Sequence, residues 1–109
     1  METEFVIEFP NASTAEANRY AADLANALRD ADPRVHAAQR RDNEAAQDLG
    51  TALQVVLGAA SITAVAKGIA TWIAAHTGTS IHIKRSGEVI VTNIGPGETA
   101  RIAEALSKH

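Results

Sequence analysis

The 109 residues include no cysteine, which excludes disulfides, thiol catalysis and cysteine-ligated zinc and suits a reducing cytosol. Aromatic residues are few: two Phe, one Tyr and one Trp. Nothing here alternates aromatic and basic side chains in the way that single-stranded nucleic acid binding requires. Positive charge is also short. Net charge is −3, and the basic clusters do not exceed the doublets Arg40-Arg41 and Lys84-Arg85, so there is no electrostatic footprint for nucleic acid. The opening Met1-Glu2-Thr3-Glu4 is acidic where a secretory signal needs a basic start, which leads to an expectation of a cytoplasmic protein.

What is present is apolar: 46% of the residues are hydrophobic, and alanine supplies 23 of them. That is enough for one modest core and too little for two, so a single domain over residues 1–109 is expected. Residues 49–66 carry no charge, and the apolar character resumes after Lys67 as far as Ala75. Length alone would admit a membrane span, which needs roughly 20 apolar residues. Gln54, the Gly and Thr residues and above all Lys67 argue against one, since a lysine at mid-bilayer costs about 2.5–3.5 kcal/mol. A buried helical hairpin is the better reading, with insertion of residues 49–75 into a membrane as the lesser alternative.

Periodicity supplies the elements. Phe5, Ile7 and Phe9 alternate with Glu4, Val6 and Glu8, a half-buried strand closed by Pro10. Ser13 and Glu16 form a capping box before a helix with Tyr20, Leu24 and Leu28 on its stripe, ended at Asp32-Pro33. Val35 to Gln39 is a short strand. Asp42 or Asn43 can then cap a helix bearing Leu49, Leu53, Val56 and Leu57, and Ser61 can cap a second bearing Ile62, Val65, Ile69, Trp72 and Ile73. The glycine at 58 permits one bent helix as well as two. Gly78 stops the second. Ile81 to Lys84 and Val89 to Thr92 form a hairpin about Ser86-Gly87, and Glu98 to Lys108 a last helix after Gly95-Pro96-Gly97. The expected architecture is α+β: a layered domain with a mixed four-stranded sheet, in the order β-α-β-(αα)-β-β-α, and a buried apolar helical hairpin.

Chemistry is harder to find. The histidines are His36, His76, His82 and His109, with no HExxH or His-x-His pair and no acidic residue at ligand spacing, so no metal site and no cofactor is expected. Ser61 lacks the glycine-flanked elbow of a serine hydrolase. Gly95-Pro96-Gly97-Glu98-Thr99 precedes a helix but has no Walker lysine and sets Glu98 where a phosphate would sit. No catalytic residue is assigned, and a pocket near His76 and His82 is the place where a ligand-binding or enzymatic alternative would lie.

The segment from Asp48 to Ile73, with Leu49, Gly50, Leu53, Val56, Leu57, Gly58 and Trp72, resembles the signature of the effector-associated constant component family of small bacterial proteins. Gly58-Ala59-Ala60-Ser61 stands where the family usually has Gly-Ser-Gly-Gly, and Ile62 replaces a leucine. The resemblance implies a non-enzymatic adaptor or signalling component of a bacterial conflict or immunity system. Its implied partner is an effector such as a caspase-like or trypsin-like peptidase.

Counting faces adds one more expectation. With Phe5, Ile7, Phe9, Ile81, Ile83, Val89 and Val91 inward, the other side of the sheet carries Val6, Ile90 and Ile94 among Glu4, Glu8, His82 and Lys84. An apolar patch rimmed by both signs of charge suits self-association, the alternative being a helix that crosses to that side and covers the patch within the monomer.

Overall fold

A computed structural model describes residues 2–10, 12–41, 51–76, 79–85, 88–92 and 99–107. Strand β1 is Glu2–Glu8, helix α1 Thr14–Ala31, β2 His36–Arg41, β3 Thr51–Gly58, α2 Ile62–Ala75, β4 His82–Arg85, β5 Glu88–Thr92 and α3 Thr99–Ser107. A 3-10 turn at Ala59–Ser61 joins β3 to α2.

The strands make one sheet in the order β2-β3-β1-β4-β5, and every pairing is antiparallel. The first four strands with α1 and α2 therefore form two interleaved split β-α-β units, the ferredoxin-like arrangement, extended by β5 and α3. The α+β class expected from the sequence holds. The sheet, however, has five strands and is antiparallel, where a mixed sheet of four was expected.

The missing strand is β3. Residues 51–58, expected as the first arm of a helical hairpin, are extended and paired on both edges, with Phe5 opposite Val55 on one side and Ala37 opposite Val55 on the other. Leu53, Val55 and Leu57 are buried while Gln54 and Val56 are half-buried, the period-2 signature of a strand with one covered face. Two adjacent β-branched valines favour the pleat over the helix. Residues 51–75 thus form no helical hairpin but divide into a strand and a helix. No helix among the described residues is long and apolar enough to cross a membrane.

Helix α1 begins as expected: the Glu16 amide donates to Ser13 Oγ at 3.1 Å and the Ser13 amide to Glu16 Oε1 at 3.0 Å. Its buried stripe is Ala17, Ala21, Leu24, Ala25 and Leu28. Gly68 of α2 lies against it, where a Cβ would come within 3.0 Å of Leu28 Cδ2, so glycine sets how closely the two helices approach. Beyond α2 lies α3, which buries Ile102 and Leu106. The buried residues of all three helices join the inward residues of all five strands in one continuous cluster. The expected caps at Asp42, Asn43 and Gly78, the Ser86-Gly87 turn and Gly95-Pro96-Gly97 lie outside the described residues.

Candidate interaction site

All three helices pack on one face of the sheet, so alternate residues of each strand point the other way. Register maps that open face row by row. Across β2, β3, β1, β4 and β5 the middle row reads Ala38, Gln54, Val6, Lys84 and Val89. On one side of it lie His36, Val56 and Glu4, and on the other Ala52 and then Glu8 and His82. The central strand supplies acid, the flanking strands mostly base and amide. Lys84 Nζ lies 3.5 Å from Glu8 Oε2, and Gln54 Nε2 donates to Glu4 Oε2.

Of the residues expected on this face, Val6, Glu4, Glu8, His82 and Lys84 are there. Ile90 is not. The β4–β5 register slips between Ile83 and Lys84, so that Ile83 faces Val91 while Lys84 faces Val89. Ile90 becomes the extra residue of a β-bulge and packs on the core, and Val89, expected inward, takes the open-face position with 49% exposure. Ile94 lies outside the described residues, as do Leu49 and Gly50 of the family signature. The remaining signature residues divide: Leu53, Leu57 and Trp72 are buried, while Val56 and Gly58 are half-buried.

The two histidines of the expected pocket are not brought together. His82 sits on the open face between Ile81 and Ile83, which are buried on the helix side. His76 ends α2 on the opposite side of the sheet. Its ring stacks on Trp72, with centroids 4.1 Å apart and planes at 18°, and its Nδ1 donates to the Trp72 carbonyl at 2.9 Å. Its Nε2 faces Asp23 Oδ2 at 4.0 Å. Phe9 and Tyr20 complete an aromatic cluster around Trp72, which is 5% exposed. Trp72 is a core residue. Its indole Nε1 has no hydrogen-bond partner among the described residues. His36 is exposed on β2 and His109 lies outside the described residues. No group of three potential metal ligands exists among the described residues.

Sequence reasoning missed one polar constellation. Asp32, which ends α1, is 5% exposed and collects four hydrogen bonds. Ser61 Oγ donates at 2.6 Å, the Arg34 amide and Nε each at 3.0 Å, and Arg34 Nη2 at 2.9 Å. The Arg34 guanidinium and then the Ser61 hydroxyl hold this carboxyl well below the usual carboxylate range. Ser61 stands at the start of α2 as expected, but its hydroxyl caps no amide there and serves Asp32 instead. The cluster clamps the end of α1 to the junction of β3 and α2. Apart from an aspartate beside a proline at a helix end, the sequence carries no sign of it.

A family model matches residues 13–107, from the N-cap of α1 to the last residue of α3. No curated protein and no solved structure matches the chain. A match over that length agrees with the residue pattern of β3 and α2, and the chain belongs to the Effector Associated Constant Component 1 family.

Proposed function

We propose that this protein is a single-domain, cytoplasmic, non-enzymatic adaptor that accompanies an effector, such as a caspase-like or trypsin-like peptidase, in a bacterial conflict or immune system. The observation that carries the reading is the family match across residues 13–107, because the family is named for its association with effectors. The side chains best suited to chemistry support it through what they already do. Ser61 is committed to Asp32, and His76 to the carbonyl of Trp72 and its indole ring.

Capture from the native host, with the full chain as bait and mass spectrometry as readout, tests the proposal. Enrichment of a peptidase-class effector supports it. A bait that enriches no effector, or a purified chain that itself turns over substrate, overturns it.

A further inference from the structure

We infer that the open face of the sheet binds a second copy of this chain, sheet on sheet with strands crossing near 90°, about a two-fold axis close to the diagonal from Val56 through Val6. The inference stands on the geometry of the sheet and does not depend on the effector reading.

Charge placement decides the crossing angle. Sheets pack face to face either nearly aligned or nearly orthogonal. An aligned pair centred on β1 brings β1 over β1 of the partner, so that Glu4 and Glu8 meet the glutamates of the other copy, and like charges juxtaposed across an interface oppose association. An orthogonal pair lays the acidic column Glu4-Val6-Glu8 along the partner's middle row, which is Gln54, Val6 and Lys84 at its centre. Alternate residues lie about 6.8 Å apart along a strand and adjacent strands about 4.8 Å apart, and the offset of about 2 Å is within the reach of Glu, Gln and Lys side chains. With the axis through Val6 at about 45° to the strands, close to the Val56–Val6 diagonal, Val6 meets Val6 and Val56 comes beside Val56. Glu8 then lies over the partner's Lys84 and Glu4 over the partner's Gln54.

Each copy already pairs Glu8 with Lys84 and Glu4 with Gln54, so the contact closes each pair into an alternating four-membered set. The result is self-complementary, as a two-fold contact must be. Val89, 49% exposed at the end of the middle row, lies at the rim. The helices on the far side stay clear of the contact.

The absence of native cysteine makes the full chain a clean background for crosslinking. Sedimentation from micromolar to sub-millimolar concentration should show a dimer, and a monomer throughout overturns the inference. Val6→Glu should give a monomer with its circular dichroism intact. Should that variant fail to fold, Lys84→Glu should lose the dimer and Glu8→Lys with Lys84→Glu should restore it; a Lys84→Glu chain that still dimerises counts against the contact. Under mild oxidation Val6→Cys and Val56→Cys should each crosslink to themselves, and Glu8→Cys should crosslink to Lys84→Cys when the two are mixed. Self-crosslinking of Glu8→Cys, which only the aligned geometry allows, overturns the crossing angle.

Discussion

The two faces of the sheet use the same strands for opposite ends. Toward the helices, Phe5, Ile7, Leu53, Val55 and Ile83 are sealed from water. One residue along each strand, the open face mixes valine with glutamate, glutamine, lysine and histidine, and much of it is only half-buried. The helix face answers for stability and the open face for contact, and a substitution separates the two roles by moving a single position.

The largest effect should come from Trp72→Ala. It empties the aromatic cluster and should destabilise the fold by about 3–5 kcal/mol, near the whole stability of a marginal small domain. Val89→Thr on the other face should leave the urea midpoint within about 0.5 kcal/mol of the parent. Equal losses from both would erase the distinction between the faces.

A smaller loss tests the helix layer itself. Gly68→Val sets branched carbons against Leu28 Cδ2 and should cost about 1–3 kcal/mol by overpacking. Thermal unfolding followed by circular dichroism reads it directly, and an unchanged or raised Tm would show that α1 and α2 can move apart freely.

Asp32→Asn keeps the shape and loses the charge, so the variant should be less stable than the parent at neutral pH, and the difference should shrink in acid. The folded carboxyl titrates below its ordinary value of 3.8, so its stabilisation is complete well above that value and drains away as pH falls through and below it. Urea midpoints measured from neutral pH into acid should therefore fall more steeply in the parent than in the variant. Parallel curves would mean that the clamp holds no differently when charged.

Legibility followed the range of the interactions. Strand β1, the capping box of α1, the stop at Asp32-Pro33 and the stripe of α2 rest on neighbours within a turn or two, and each could be read. Strand β3 could not, because Leu53, Val56 and Leu57 fit a helical stripe while Leu53, Val55 and Leu57 fit a strand face. Pairing with β1 and β2 decides between them, and both partners are distant in sequence. The bulge that exchanges Val89 with Ile90 depends on β4 and has no local marker among the described residues. The clamp at Asp32 needs Ser61 from the far side of β3. The part of the open face built by β1 and β4 was legible because their alternation is local, whereas Ala52, Gln54 and Val56 went unread with β3 and Ile90 was misplaced at the bulge.

The central place of β1 bears on how the chain is made. Its two flanking strands are both translated after it, and Ile7 cannot meet Ile83 until all of β4 has emerged. At about 5–20 residues per second, β1 spends several seconds with one edge or both unpaired. Phe5-Val6-Ile7-Glu8-Phe9 is then an apolar ribbon with open edges, the kind of segment through which nascent chains on one message stick together. Glu4 and Glu8 protect it during that interval, since a strand studded with like charge resists pairing with another copy of itself until β3 and β4 claim its edges.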